Sequence, residues 1–120
     1  MKKILVAEDN PASMDFLNEL LTSSGYAVVK ARNGTEALQK MNEEPVDLVL
    51  LDIQMPELDG YGVLHRIRAD QRLAHLRVVA FTAYAMPGDK EKALAAGFDG
   101  YITKPIRAAA LRQQIHELIG

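Results

Sequence analysis

The chain has 120 residues, of which 48% are hydrophobic, and its formal net charge is −2 at pH 7. That length suits one domain with a real core, and the absence of a basic excess argues against direct binding to nucleic acid. Because the chain contains no cysteine, disulfides, thiol chemistry and cysteine-ligated metal sites are excluded. The apolar runs are too short to span a membrane, and the first segment turns acidic at Glu8, unlike a signal peptide. We therefore expect a soluble domain in the cytoplasm.

Strand-like and helix-like segments alternate five times along the chain. Short apolar runs bounded by turn residues predict strands at 4–7, 26–31, 46–52, 77–82 and 98–103. Apolar residues at helical spacing predict helices at 11–24, 35–44, 61–70, 87–96 and 106–119. The third strand is almost wholly apolar, which is typical of a strand buried on both faces of a parallel sheet. This alternation predicts a doubly wound α/β domain, with a five-stranded parallel sheet between two layers of helices.

Residues able to do chemistry lie at the ends of four of the five predicted strands. Glu8 and Asp9 follow the first strand, Asp52 ends the third, Thr82 ends the fourth and Lys104 follows the fifth. The C-terminal ends of parallel strands share one edge of the sheet, where open α/β sheets bind their ligands. If the strand order is 2-1-3-4-5, the first and third strands are neighbours and their three carboxylates meet.

These residue types together favour phosphoryl transfer. Neighbouring carboxylates repel one another unless a cation lies between them, and a site made of carboxylate oxygens suits Mg²⁺. Lys104 can pair with a phosphoryl oxygen, and Thr82 offers a hydroxyl donor. Taken singly, most of these residues have ordinary explanations, such as compensation of a helix dipole by Glu8 and Asp9. Asp52 is the exception, because an acid that closes a buried strand is costly without a partner.

The chain resembles a response regulator receiver domain of two-component signalling over its whole length. The resemblance rests on four segments in the family's order and spacing: ILVAEDN, LVLLDIQMPELDG, VVAFTA and GYITKP. It implies one receiver domain over residues 1–120, with a flavodoxin-like fold and the strand order 2-1-3-4-5. It also implies that Asp52 accepts a phosphoryl group from a phosphohistidine of a sensor kinase or a phosphotransfer protein. Lys104 and Thr82 would then hold the phosphoryl group.

The resemblance further implies a magnesium site. Asp9 and Asp52 would bind Mg²⁺ through their side chains, Gln54 through its backbone carbonyl, and Glu8, which replaces a more frequent Asp, mostly through water. Gln54 and Tyr84 occupy positions that influence the lifetime of the phosphate in this family. We expect the bulky Tyr84 to shield the acyl phosphate from water and to lengthen its lifetime.

A switch also follows from the resemblance. Tyr101 matches the family's switch aromatic, which turns inward when Thr82 moves toward the phosphate, and the bond between Lys104 and Pro105 matches the family's cis peptide. The signal would leave through the surface of the fourth helix, the fifth strand and the fifth helix, toward an unidentified protein target. Whether phosphorylation drives dimerisation is left open by the sequence, as is the choice between a single-domain regulator and a receiver excised from a longer protein.

Two other functions are alternatives to this switch. A phosphatase or phosphotransferase that works through an aspartyl phosphate usually has a second carboxylate two residues after the nucleophile, where this chain has Gln54. A degenerate receiver would bind partners without phosphate, but Asp9, Asp52, Thr82 and Lys104 are all present. We therefore expect no enzyme activity beyond self-catalysed phosphoryl acceptance and autodephosphorylation.

Overall fold

The computed structural model describes residues 1–83 and 85–120. Strands and helices alternate along the described chain in the following order: β1 (Lys3–Ala7), α1 (Pro11–Ser23), β2 (Ala27–Ala31), α2 (Gly34–Glu43), β3 (Leu48–Asp52), α3 (Gly60–Ala69), β4 (Arg77–Thr82), α4 (Asp89–Ala96), β5 (Gly100–Thr103) and α5 (Ala108–Ile119). The five strands form one parallel sheet in the order β2-β1-β3-β4-β5. The predicted doubly wound fold and its strand order are confirmed.

The first three helices begin at polar side chains that cap them. The side-chain oxygens of Asn10, Asn33 and Asp59 each accept a hydrogen bond from the backbone N–H three residues further on. Such a bond satisfies one of the N–H groups that the first turn of a helix leaves unpaired. Pro11, the first residue of α1, has no N–H to lose and already has a helical φ. The local sequence therefore sets where these helices start.

Four elements begin two residues later than the sequence predicted: β3, α4, β5 and α5. The fourth helix starts at Asp89 instead of Pro87. Gly88 has a left-handed φ of 89°, which is incompatible with a right-handed helix, so the helix can begin only after it. The fifth strand starts at Gly100 instead of Phe98, because pairing with β4 begins at Gly100. The other boundaries lie within two residues of the prediction.

The sheet separates two apolar clusters, one on each face. Alternate strand residues point to opposite faces, so that Ile4 and Val6 of β1 belong to one cluster and Leu5 and Ala7 to the other. The first cluster is completed by buried residues of α1 and α5, and the second by buried residues of α2, α3 and α4. All five residues of β3 are buried, as expected of the central strand.

The strand register brings the C-terminal ends of β1, β3, β4 and β5 to one edge of the sheet. Ala7 lies opposite Leu51, Asp52 opposite Phe81, and Thr82 opposite Thr103. Residues that follow these strands therefore emerge side by side. None of the helices in residues 1–83 and 85–120 has the length and apolar character needed to cross a membrane.

Candidate functional site

Three carboxylates meet at the C-terminal edge of the sheet. Glu8 and Asp9 follow β1, Asp52 ends β3, and one oxygen from each side chain lies within 4.8 Å of the others. Glu8 and Asp52 are only 1% and 4% exposed, respectively, whereas Asp9 faces solvent. The arrangement follows directly from the pairing of β1 with β3.

Tight backbone contacts hold Asp52 in place. Its Oδ1 accepts a hydrogen bond of 2.9 Å from the backbone N–H of Gln54, which fixes the carboxylate over the turn that follows β3. The chain then returns over Gly60, where a Cβ atom would lie 3.0 Å from the carbonyl oxygen of Asp52. A residue without a side chain is required at that close approach.

Lys104 connects two of the carboxylates. Its Nζ donates a hydrogen bond of 2.9 Å to Oε1 of Glu8 and one of 3.2 Å to Oδ2 of Asp52. The backbone N–H of Lys104 also donates to the carbonyl oxygen of Thr82 at 2.8 Å. The peptide bond between Lys104 and Pro105 is cis. These contacts place the ammonium group of Lys104 against the acids of β1 and β3.

Thr82 and Tyr101 line a common cavity beside the acids. Thr82 ends β4 and is 3% exposed. The cavity has a volume of about 140 Å³, and Gln54 also lines it. The hydroxyl of Tyr101 is buried and has no hydrogen-bond partner among the described residues. Tyr84, predicted from the sequence to influence phosphate lifetime, lies outside the described residues.

Burial and the neighbouring charges set the protonation of the site. Burial, together with the Asp52 carboxyl, raises the pKa of Glu8 to about 7, and the opposing effect of Lys104 does not cancel it. Burial lowers the pKa of Lys104, but its hydrogen bond to Glu8 and the charge of Asp52 outweigh that effect, so its pKa is raised. Lys104 therefore stays charged at neutral pH, while Glu8 gains or loses a proton there.

The site has the donor set of a hard divalent cation. Three carboxylates against one ammonium leave an excess of negative charge, and Oε2 of Glu8 is buried without a hydrogen-bond donor in the described part of the chain. A buried carboxylate oxygen without a donor is costly. Because every side-chain ligand is a carboxylate oxygen, Mg²⁺ fits this set better than a metal that prefers nitrogen or sulfur.

The structure brings together most of the residues that the sequence singled out. Glu8, Asp9, Asp52 and Lys104 form one cluster, and Gln54 lies beside it. Sequence reasoning missed four further residues that line the cavity: Ile53, Tyr61, Asp89 and Lys92. The only sequence feature that could have pointed to one of them is the position of Asp89, directly after Pro87 and Gly88 at the start of the fourth helix. Proximity to the cavity depends on how α3 and α4 pack, and no local pattern reports it.

Comparisons with known proteins agree with this geometry. The family model described as the response regulator receiver domain matches residues 4–116. The polar-differentiation response regulator DivK of Brucella anthropi is 39% identical over 119 residues, which cover 99% of this chain and 97% of that protein. The chemotaxis protein CheY4 of Vibrio cholerae superposes with a TM-score of 0.91 at 24% identity, covering 98% of both chains, and supports the fold alone.

A solved relative carries a metal at its active site. The receiver domain of the sensor histidine kinase PA1611 from Pseudomonas aeruginosa is 34% identical to this chain, with a TM-score of 0.91. The match covers 99% of this chain and 98% of that one, and a magnesium ion is coordinated in that protein's active site cleft.

Proposed function

The chain belongs to the response regulator receiver domain family, and on that premise we propose that Asp52 is the phosphoacceptor of a two-component signalling switch. The phosphoryl donor is a phosphohistidine of a sensor histidine kinase or a histidine phosphotransfer protein. The observation that carries this proposal is the contact of the Lys104 ammonium with the buried Asp52 carboxylate, 3.2 Å from Nζ to Oδ2. It supplies a cation beside a nucleophile at the edge of the sheet where ligands bind.

The transfer is a displacement at phosphorus. A carboxylate oxygen of Asp52 attacks the phosphorus atom, an O–P bond forms, and the N–P bond to the donor histidine breaks with its electron pair returning to the imidazole. Lys104 would pair with one phosphoryl oxygen, and the Thr82 hydroxyl would donate to another. Both residues hold the group in line and stabilise its developing charge.

Mg²⁺ is the cofactor that the acids are suited to hold. Glu8, Asp9 and Asp52 would supply carboxylate oxygens, Glu8 mostly through water, and Gln54 would contribute its backbone carbonyl. When bound, Mg²⁺ supplies positive charge for the phosphoryl oxygens. The uncompensated Oε2 of Glu8 and the 4.8 Å spacing of the three acids support this assignment.

The signal leaves the site through Thr82 and Tyr101. A phosphoryl group gives the Thr82 hydroxyl a strong acceptor, and movement of Thr82 changes the cavity that it shares with Tyr101. The surface formed by α4, β5 and α5 would then bind a downstream protein in one state in preference to the other. Gln54 and Tyr84 would set how long that state lasts.

The same proposal covers the extent and location of the domain. Residues 1–120 form a single receiver domain in the cytoplasm, acting alone or as part of a longer protein. Its own chemistry is limited to phosphoryl acceptance and autodephosphorylation. The residue two positions after Asp52 is Gln54, and its amide cannot serve as the acid or base that a phosphatase acting on small molecules would need.

Incubation with acetyl phosphate and Mg²⁺, followed by intact mass measurement, tests the proposal. We expect the wild-type chain to gain the mass of one phosphoryl group, only when Mg²⁺ is present, and Asp52→Asn to gain none. Asp15→Asn, which removes an exposed carboxylate of α1, is the matched control and should behave as the wild type. Equal phosphorylation of Asp52→Asn would refute the assignment.

A further inference from the structure

The cavity beside Thr82 contains the hydroxyl group of Tyr101, and the proposed switch does not yet explain how this group is paired. The Tyr101 hydroxyl is buried, and no described residue forms a hydrogen bond with it. The cavity, about 140 Å³ in volume, is also lined by Tyr61, Asp89 and Lys92. Buried hydroxyls are nearly always paired in proteins, so a second state that pairs this donor would gain a hydrogen bond that the present state lacks.

Asp89 is the best acceptor available to Tyr101. It is the only carboxylate among the described residues that line the cavity. Lys92 offers donors only, and its ammonium lies over the Tyr61 ring, 5.1 Å from the ring centroid. Burial raises the pKa of Tyr101, and the charge of Asp89 raises it further. Both residues line the same cavity, and the hydroxyl needs only an acceptor there.

The backbone of Met86 also holds Asp89 in place. The backbone N–H of Met86 donates to Oδ2 of Asp89 at 2.7 Å, and the backbone N–H of Asp89 donates to the carbonyl oxygen of Met86 at 3.0 Å. This reciprocal pair fixes the Asp89 carboxylate against the backbone of Met86, and so holds it at the start of α4, where it lines the cavity.

A second set of contacts keeps the first turn of α4 beside the cavity. The rings of Tyr61 and Phe98 pack edge to face, with centroids 5.5 Å apart, and the ammonium of Lys92 lies over Tyr61. Tyr61 belongs to α3 and Lys92 to α4. The two helices are thus linked at the cavity, which limits the directions in which Asp89 can move.

We propose that Asp89 is a positioning residue of the switch, whose carboxylate accepts a hydrogen bond from the Tyr101 hydroxyl in the phosphorylated state. This proposal rests on the proposed function and adds the acceptor that fixes Tyr101 in its buried position. The bond exists in one state and not in the other, so it shifts the equilibrium toward the phosphorylated conformation. By reciprocity, it also strengthens the binding of the phosphoryl group at Asp52.

A double-mutant cycle with a phosphoryl mimic tests this proposal. Beryllofluoride is titrated calorimetrically in the presence of Mg²⁺ into the wild type, Asp89→Asn, Tyr101→Phe and the double variant. A hydrogen bond to a charged acceptor corresponds to about a tenfold loss of affinity. We expect Asp89→Asn to show that loss when Tyr101 is present and to have almost no effect beside Tyr101→Phe. The side-chain oxygen of Asn can still accept the bond from the N–H of Met86, so this contact before α4 is retained.

Two further measurements separate positioning from general stability. Glu91→Gln, which removes another exposed acid from the first turn of α4, should leave the affinity for beryllofluoride unchanged. In Mg²⁺ alone, the effects of Asp89→Asn and Tyr101→Phe on the free energy of unfolding should be additive, because the hydroxyl has no partner among the described residues in this state.

The possible results lead to distinct conclusions. Equal losses from Asp89→Asn in the wild-type and Tyr101→Phe backgrounds would overturn the role of Asp89 and point to water as the partner of Tyr101. A loss of the same size in Glu91→Gln would overturn it too, because the effect would then be that of helix charge. If beryllofluoride failed to bind the wild type, or bound Asp52→Asn equally well, the proposed function itself would fail.

Discussion

Removal of the Lys104 ammonium should destabilise the metal-free protein in a way that depends on pH. Lys104→Met keeps most of the apolar stem and removes the group that donates to Glu8 at 2.9 Å and to Asp52 at 3.2 Å. Both carboxylates are almost completely buried. The substitution therefore leaves two acids facing each other without a cation.

The loss of stability in Lys104→Met depends on how far Glu8 can take up a proton in place of its contact with the lysine. Removal of one partner from a buried ion pair costs about 3–5 kcal/mol. Lys104 is 21% exposed, and Glu8 has a pKa of about 7, so a protonated Glu8 can replace part of what the lysine provides. We therefore expect a loss of about 2–3 kcal/mol in the free energy of unfolding at pH 7.

The dependence on pH follows from the raised pKa of Glu8. The unfolded carboxyl ionises near 4.5 and the folded one near 7. The folded state holds more protons between these values, so the contribution of Glu8 to stability falls as the pH rises through that range. Lys104 lowers the pKa of Glu8, and without it the decline should continue above pH 7, at up to about 1.4 kcal/mol per pH unit.

Urea denaturation in the presence of a chelator, repeated from pH 6 to about pH 8, measures both quantities. Lys90→Met, which removes an exposed lysine of α4, is the matched control and should change little. In the double variant with Glu8→Gln, the additional dependence on pH should disappear. The reasoning would be refuted if Lys104→Met lowered the free energy of unfolding by the same amount at every pH. It would also be refuted if the additional pH dependence remained in the double variant.

Three further predictions concern the metal and the backbone around Asp52. Asp9→Asn should weaken Mg²⁺ binding about tenfold, because it removes one of three carboxylates, and calorimetric titration measures this change. Glu57→Gly should raise the free energy of unfolding by about 0.5 kcal/mol, because the φ of Glu57 is 67°, in the left-handed region. Gly60→Ala should lower the free energy of unfolding by about 2 kcal/mol, since a Cβ there would lie 2.8 Å from the Cα of Ile53.

Each of these predictions has a control and a contradicting result. Gly62→Ala is the control for Gly60→Ala. Its Cβ would meet the flexible end of the Leu58 side chain at 2.5 Å, so we expect a smaller loss of stability. Equal losses in the two variants would contradict the backbone argument. A lower stability of Glu57→Gly in urea would show that φ is not strained there. Unchanged Mg²⁺ affinity in Asp9→Asn would remove Asp9 from the metal site.

The sequence was sufficient for the fold and for the location of the site because both depend on simple periodic patterns. The apolar run of β3 and its abrupt end at Asp52 predicted a central buried strand, and all five of its residues are buried. The parallel order then brings the residues at the C-terminal ends of β1, β3, β4 and β5 to one edge. Four of these residues, Glu8, Asp9, Asp52 and Lys104, form the cluster found in the structure.

The sequence could not predict contacts that depend on side-chain conformation across distant segments. Lys104 reaches Glu8, 96 residues earlier in the chain, and no spacing rule specifies that pair. Arg68 on α3 is a second case: its guanidinium donates to the carbonyl oxygens of Ala74 and Gly97 and to the carboxylate of Asp99. Such links are set by packing of whole elements, which local patterns do not report.

The most direct test of the central claim is to identify the phosphorylated residue chemically. Borohydride reduces an aspartyl phosphate to homoserine, which peptide mass spectrometry can then locate in the chain. After treatment with a phosphorylated histidine phosphotransfer protein and Mg²⁺, we predict homoserine at position 52 and at no other acid. Homoserine at Asp9 or another carboxylate, or none in a sample shown to be phosphorylated, would contradict the account.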